Sequence, residues 1–416
     1  MQENKKILIL LLRTWTNDIG GIYDYSTKAV KVITDNIVQS TYVVRDKNNF
    51  FDNVGQHSEI PNSSELLFHV LNNNKDNYLL INPIPKNLKL SKDNCDYLNN
   101  KIWYVIKSEV NLENENNNEE YFLLENDIIK LGKIKFAVQK IHIENANNSE
   151  EPPMPQNGSE KYDISKLNQN SDPVFDFIFK VKYSKNAEKN NNNSETPSDD
   201  DKKKVQNNDK EVTCFICKQE KRKQNESETD DGESDILISL CNCKEKGLAH
   251  RECFRKNFNV KIENKPKDKS ITIENFECPN CKEQYPLKYR FENENEIKFL
   301  IDEYKEEEKG DYIILESLDY YKDEKYCKSI HIINLKYDHI TIGREAENDV
   351  VEKDISISRS HAVLNYNRVN YKICLQNRSK KFGTLVLIKK PIKILDGKIH
   401  LQIGRTYIEA HLEVKN

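Results

Sequence analysis

Four short pairs of metal-type side chains constrain this chain more than anything else in it: Cys214-x2-Cys217, Cys241-x-Cys243, His250-x2-Cys253 and Cys278-x2-Cys281. A pair separated by one or two residues lets a single tight turn present two soft donors to one tetrahedral ion. Four pairs supply two four-ligand sites. The gaps of 23 residues between Cys217 and Cys241 and 24 between Cys253 and Cys278 are too long for one compact site and suit two interleaved ones. Unligated core cysteines do not explain four regular pairs, so the expectation is two zinc ions. Of the 10 cysteines, only Cys95, Cys327 and Cys374 fall outside the cluster, and they read as small buried apolar residues.

The remaining composition argues for folded modules joined by solvated linkers. Of 416 residues, 37% are hydrophobic and 32% charged, with a mean hydropathy of -0.81. A net charge of -4 gives no general attraction to nucleic acid or to an anionic membrane. The longest strongly apolar run, Ile7 to Leu12, falls far short of the about 20 residues a spanning helix needs. It follows Lys5 and Lys6 as a secretory leader would, but it is short and lacks a small-residue cleavage site. It reads as a buried strand, with no membrane span, and the protein is expected to be intracellular, in cytoplasm or nucleus.

Strand-like runs separated by Asn- and Asp-rich turns fill residues 1–145: Ile7–Leu12, Gln39–Val44, Tyr78–Ile81, Ile102–Val105 and Ile134–Val138. Residues 146–210 read as mostly disordered linker, apart from an alternating stretch, Val174 to Val181, that suits an edge strand. The zinc module occupies 211–290. Residues 291–310, polar around Ile297, Phe299, Leu300 and Tyr304, suit a short helical connector. Residues 311–416 are again strand-like. The expected fold is multidomain and mostly β.

The order of four cysteines, a histidine and three cysteines, with one residue inside the second pair, resembles the RING-variant (RING-CH) family. The PHD finger shares the ligand order. It usually has a wider second pair and a tryptophan two residues before the last pair, where this chain has Phe276. The RING-variant resemblance implies cross-braced ligation. Cys214, Cys217, His250 and Cys253 would hold one zinc, and Cys241, Cys243, Cys278 and Cys281 the other. Metal binding and folding would then be one event. It also implies a ubiquitin ligase without a nucleophile, which positions a charged ubiquitin-conjugating enzyme. The docking residues would be Ile216, Phe258, Pro279 and Lys282.

A second set of residues lies further on: Gly343-Arg344, Ser358-Arg359-Ser360-His361 and Gly383-Thr384, each between strand-like runs. Arg344 and Ser358 are 14 positions apart, and His361 and Gly383 are 22 apart. Residues 311–416 thereby resemble a forkhead-associated (FHA) domain, a β-sandwich that reads phosphothreonine. The resemblance implies that Arg344, Ser358, Arg359, Gly383 and Thr384 form the phosphopeptide site, with Gly343 and His361 structural. Phe382 stands where the family usually has asparagine.

Residues Leu124 to Phe136 resemble the closing strands of the same family, and Leu395 to Tyr407 share their rhythm. No Gly-Arg or Ser-Arg-x-His pattern precedes the first copy, so residues 1–145 read either as an FHA-like sandwich without a phosphate pocket or as an unrelated β domain. Thr196, followed by Pro197 and Asp199–Asp201, and Thr229, followed by Asp230 and Asp231, are candidate phosphorylation sites. The expected function is a phosphothreonine-reading adaptor with ligase activity. The alternatives are a non-enzymatic scaffold with structural zinc and a PHD-like reader. Phosphothreonine proteins are the expected partners, with ubiquitin-conjugating enzyme in the ligase case.

Overall fold

The fold is known from a computed structural model that describes residues 6–15, 24–25, 31–46, 51–55, 64–74, 77–82, 98, 101–107, 120–144, 179–181, 213–219, 237–263, 269–273, 277–283, 285–291, 296–300, 310–318, 329–395 and 397–414. Two compact units make up the chain. The first holds Met1–Asp176, Lys267–Thr272 and Gly310–Asn416; the second holds Phe177–Pro266 and Ile273–Lys309.

The amino-terminal strands of the first unit are β1 (Lys6–Thr14), β2 (Lys31–Ile37), β3 (Thr41–Asp46), β4 (Phe51–Gly55), β5 (Ser64–Asn74), β6 (Asn77–Ile81), β7 (Trp103–Ile106), β8 (Glu120–Phe122), β9 (Ile128–Leu131) and β10 (Ile134–His142). The second unit contributes β11 (Phe179–Val181), β12 (Leu237–Ser239), β13 (Leu248–His250), helix α1 (Arg251–Glu263), β15 (Lys288–Phe291) and β16 (Lys298–Phe299), while β14 (Ser270–Ile273) pairs into the first unit's sheet. The carboxy-terminal strands are β17 (Tyr312–Ser317), β18 (Ile330–Asn334), β19 (His339–Gly343), β20 (Val350–Val351), β21 (Ala362–Asn367), β22 (Lys372–Asn377), β23 (Thr384–Leu387), β24 (Ile392–Lys393), β25 (Ile399–Ile403) and β26 (Thr406–Val414).

The order in which these strands pair is the central fact of the fold. One sheet runs β14-β18-β17-β10-β9-β23-β7-β25-β26-β1-β2, and two five-stranded sheets run β20-β19-β21-β22-β8 and β24-β6-β5-β3-β4. The second and third orders are the same pattern written in the two halves of the chain. In each, four strands of one half are completed at the edge by a strand of the other. The long sheet repeats this about its middle, where β7 and β23 pair antiparallel from Thr384↔Ile106 to Leu387↔Trp103. Two sandwiches result, and each takes its last three strands from the opposite half: β8–β10 close the carboxy-terminal one, β24–β26 the amino-terminal one. The link between β23 and β24, Ile388 to Pro391, allows a span of only about 17 Å between strand ends. It is therefore confined to crossing beside its neighbour.

Local sequence supports each exchanged hairpin. β9–β10 turns at Gly132 and β25–β26 at Gly404, each two residues long, with φ of 61° and 50°. A positive φ at the first loop position is what a type II′ hairpin turn requires. Inward residues of both halves share one core, in which Leu8, Phe68, Tyr78, Leu364 and Leu401 are fully or almost fully buried. A buried pair marks the crossing: Lys389 Nζ stands 3.9 Å from the Asp127 carboxylate, both side chains 1% exposed. Burial raises the Asp127 pKa to about 6, opposed by Lys389, the Leu124 N–H and the Tyr121 hydroxyl.

These pairings correct three expectations. Residues 1–145 and 311–416 are not separate domains, because strand pairing is non-local and matched closing hairpins can serve either half. Residues 267–272, inside the expected zinc module, belong to the first unit. Within the expected helical connector, Lys298–Phe299 is a strand: β16 pairs β15, and cross-strand contacts place Lys288 Nζ 5.2 Å from the Phe299 ring centre and Lys298 Nζ 5.3 Å from that of Phe291. The edge strand read at Val174 to Val181 is described over β11, parallel to β15 at a sheet edge; the rest of the expected linker lies outside the described residues.

The exchange generates a prediction. From β8–β10, Tyr121, Ile129, Leu131, Ile134, Phe136 and Val138 enter the shared core. At about 1.5–3 kcal/mol per buried large side chain, their loss is as large as the about 5–15 kcal/mol that holds a domain folded. A fragment of residues 311–416 alone is expected to be unfolded by circular dichroism, and co-expression with 1–145 to yield a folded 1:1 complex. A monomeric, cooperatively unfolding 311–416 fragment would refute the exchange.

Candidate functional site

Two sites follow from this framework, one in each unit. In the second unit, hairpin β12–β13 pairs Leu237↔His250 and carries Cys241 and Cys243 in its loop. Chain reversal there needs Gly247, where a Cβ would lie 2.8 Å from Cys241 Sγ and 2.9 Å from Cys243 Cβ. His250 ends β13, and Cys253 sits in the first turn of α1. The first and last pairs form matching knuckles. Lys218 N–H donates to Cys214 O at 2.8 Å and Lys282 N–H to Cys278 O at 3.0 Å, with φ of 63° at Lys218 and 60° at Lys282. An edge-to-face stack of Phe215, Phe254 and Tyr285 packs beside them, with centroids 5.8 and 5.3 Å apart.

The donor atoms fall into two groups, Cys214, Cys217, His250 and Cys253, and Cys241, Cys243, Cys278 and Cys281, each within 4.8 Å. His250 Nδ1 lies 3.4 Å from Cys217 Sγ and 3.7 Å from Cys253 Sγ; Cys278 Sγ lies 3.5 and 3.7 Å from Cys241 and Cys243 Sγ. Ligands of one tetrahedral zinc-sized ion stand about 3.6–3.8 Å apart. Both groups therefore have the spacing and donor chemistry to hold a metal ion. Glu283, which the sequence did not flag, accepts the Asn242 N–H at 2.5 Å and ties the second pair to the fourth.

The expected docking residues are scattered in character. Ile216 is half-buried between its two cysteines, and Pro279 is exposed. Lys282 occupies the left-handed position of the last knuckle, with Nζ 3.2 Å from Glu277. Phe258 lies in α1, but its side chain, like all of Phe276, is outside the described residues.

In the first unit, three loops meet at one end of the carboxy-terminal sandwich. They are 344–349, 352–361 and 378–383, and His361 joins the second and third to β19. Its backbone N–H donates to Ile342 O at 2.8 Å, and its carbonyl accepts the N–H groups of Arg378 and Ser379 at 2.8 and 3.0 Å. Ring Nδ1 accepts the Ser358 N–H at 3.0 Å, and Nε2 lies 3.3 Å from Gly383 O. The ring is fully buried, and burial pushes its pKa down to about 4, so it stays neutral. Gly343 lets β19 pass beneath the second loop, since a Cβ there would stand 2.2 Å from Arg359 O.

Ser358 Oγ is 2.6 Å from Ser379 Oγ, and Arg344 N–H donates to Ser358 O at 3.0 Å. Arg344 is exposed, and among the described residues its side chain makes no hydrogen bond or ion pair. Arg359 is exposed and pairs loosely with Glu345 at 3.2 Å. Thr384 is buried and donates to Asn377 Oδ1 at 2.9 Å, which also accepts the Ser379 N–H at 3.0 Å. Phe382 is half-buried, its N–H donating to Ser379 Oγ at 2.9 Å.

Several contributors escaped the sequence reading. Asn348 Nδ2 donates to Arg359 O at 2.7 Å. Gly132 and Lys133, on the exchanged β9–β10 hairpin, brace the serine loop. Lys133 N–H donates to Ser356 Oγ at 3.0 Å, Lys133 Nζ stands 3.7 Å from Asp354, and a Cβ on Gly132 would lie 2.2 Å from Ser356 O. Tyr25 N–H donates to Lys381 O at 2.7 Å, and its ring lies where a Gly383 Cβ would go, 2.5 Å away. Asn377, seven residues before Thr384, had a readable signal as a turn former. Tyr25 had none, being distant in sequence.

No helix among the described residues is long and apolar enough to cross a membrane. No curated protein and no solved structure matches the chain. Residues 340–404 match the family model of the FHA domain, a span that begins in β19 and ends just past β25, so that its last two strands close the amino-terminal sandwich rather than the one that carries His361.

Proposed function

We propose that this chain is a phosphothreonine-reading adaptor whose second unit is a two-zinc module of RING-variant type. The observation that carries the first part is the exposed Arg344, whose guanidinium has no partner among the described residues and whose backbone N–H donates to Ser358 O, on loops built around neutral His361. A phosphate dianion needs a cation and hydroxyl or amide donors already in place. Arg344 supplies the charge and Ser358 the hydroxyl, with Arg359 at the rim. Gly383 and Thr384 shape the third loop. For the second part, three thiolates with an imidazole and four thiolates are donor sets typical of structural zinc. With all four positions filled by protein, such zinc would hold the unit together and supply no open coordination site.

A finer reading assigns ubiquitin ligase activity to the second unit. What favours it is Ile216, an apolar side chain left half-exposed between two ligands, where it has little packing to do. Modules of that type work without a nucleophile; this one would act by docking a conjugating enzyme and holding the ubiquitin thioester.

Arg344→Ala removes a charge-assisted hydrogen bond of about 1.5–3 kcal/mol. Calorimetry is expected to give at least about a tenfold weaker affinity for a phosphothreonine peptide, and a smaller loss for Ser358→Ala; no preference of the wild type for phosphothreonine over threonine would overturn the reading. Elemental analysis is expected to find two zinc ions per chain. Cys241→Ser should lose at least one and expose the 211–290 segment to protease, whereas one zinc or none in the wild type would remove the cross-braced arrangement. Ile216→Ala is expected to abolish ubiquitin transfer at unchanged zinc content. Absence of transfer by the wild type with a broad panel of conjugating enzymes would leave a scaffold.

A further inference from the structure

The loop that joins β22 to β23 carries more charge than a single phosphate uses. Its exposed side chains are Arg378, Lys380 and Lys381, and no acid lies between Asn377 and Thr384. The two loops beside it are mixed in sign, and most of their acids are already engaged. Glu345 pairs with Arg359 at 3.2 Å, Asp349 with Lys269 at 3.0 Å and Asp354 with Lys133 at 3.7 Å, while Glu352 lies 3.2 Å from His331. Glu347 alone stays exposed without such a partner among the described residues. Arg378 is steadied by His339 Nε2 at 3.2 Å, whereas the Lys380 and Lys381 ammonium groups make no hydrogen bond or ion pair among the described residues.

The backbone that presents these cations is fixed from three sides. Ser379 is buried and bonded to Ser358, the group next to the phosphate position. Asn377 gathers the two ends of the loop through Ser379 N–H and Thr384 Oγ1. Tyr25 holds the Lys381 carbonyl and fills the space against Gly383, and its ring is itself anchored by Trp15 and Tyr407, with centroids 5.6 and 5.8 Å away. A loop immobilised in this way has little ordering entropy left to lose on binding. It also offers a peptide no side-chain amide, because Phe382 is apolar and its N–H is already used.

We infer that the 377–383 loop selects the flank of the phosphopeptide, and that the ligand is a phosphothreonine segment rich in neighbouring carboxylates. This rests on the phosphothreonine reading, with Arg344 and Ser358 taking the phosphate while Arg378, Lys380 and Lys381 take the acids beside it. The chain contains a sequence of this chemistry, residues 225–235, in which Glu226, Glu228, Asp230, Asp231, Glu233 and Asp235 surround Thr229.

The test uses the full-length, zinc-loaded, phosphatase-treated chain and synthetic peptides of the 225–235 sequence. One is phosphorylated at Thr229, one is phosphorylated with its six acids changed to the corresponding amides, and one is acidic but unphosphorylated. The acidic phosphopeptide is expected to bind about tenfold more tightly than the neutral one, with the advantage shrinking as salt rises. Lys380→Gln with Lys381→Gln should erase that advantage while leaving affinity for the neutral phosphopeptide and the thermal transition unchanged; Arg344→Ala should weaken both. Equal affinity of the wild type for the two phosphopeptides overturns this inference and leaves the phosphothreonine reading standing. Binding of neither overturns both. Tight binding of the unphosphorylated acidic peptide would mean unspecific charge attraction and would also overturn it.

Discussion

The antiparallel pairing of β7 with β23 decides most of what this chain can be. Each of these strands sits where it must satisfy backbone groups on both edges. On one edge each takes a strand of the opposite half, and on the other it takes its counterpart. Once that pair is formed, β9 and β25 can only add on the outer edges, and the rest of the long sheet follows outward in both directions. The first unit is therefore one cooperative body with two sandwiches in it. Buried charge at the crossing, Lys389 against Asp127, is tolerable for the same reason: desolvating a carboxylate is costly, and only a geometry fixed by both halves keeps its partner in place.

The candidate phosphopeptide site inherits that arrangement. Its three loops come from the carboxy-terminal half, yet two of them are braced by residues from the other end of the chain. Gly132 and Lys133 fix the loop that bears Ser358, and Tyr25 fixes the loop that follows β22. A buried neutral histidine then joins the second and third loops to β19. His361 contributes through backbone and ring bonds together, and a charged ring would lose its acceptor at Nδ1 as well as its dry surroundings. The cationic side chains are left to face solvent, while nearly everything beneath them is spent on position.

What was legible in the sequence was what depends on short spacing. The four ligand pairs could be read because a knuckle is a local object, and the structure groups those eight donors in the same two sets. The strands at Ile7–Leu12 or Ile134–Val138 were legible from apolar runs between turn residues. Even the likeness between Leu124–Phe136 and Leu395–Tyr407 was visible, since both are hairpins around a glycine. Which sandwich each hairpin closes was not, because two matched hairpins carry the same pattern and only packing against the rest of the chain chooses between them. The helical reading around Ile297, Phe299 and Leu300 failed for a related reason: three apolar residues in a polar stretch fit either period, and the cross-strand lysine–aromatic contacts that settle it are non-local. Tyr25 lies beside Gly383 through tertiary structure alone.

The exchange also sets an order of events during synthesis. β1 spans Lys6–Thr14, but its neighbour β26 spans Thr406–Val414 and leaves the ribosome long afterwards. At about 5–20 residues per second, the amino-terminal half waits roughly 20–80 s for the strands that cover it. Throughout that interval Leu8, Leu10, Leu12 and Phe68 have no lid, and β1 offers an unpaired apolar edge of the kind that recruits other chains. Production of this protein thus depends on holding a half-built sheet in a soluble state until β26 has been made, a burden that a pair of sandwiches closed in sequence order would not carry.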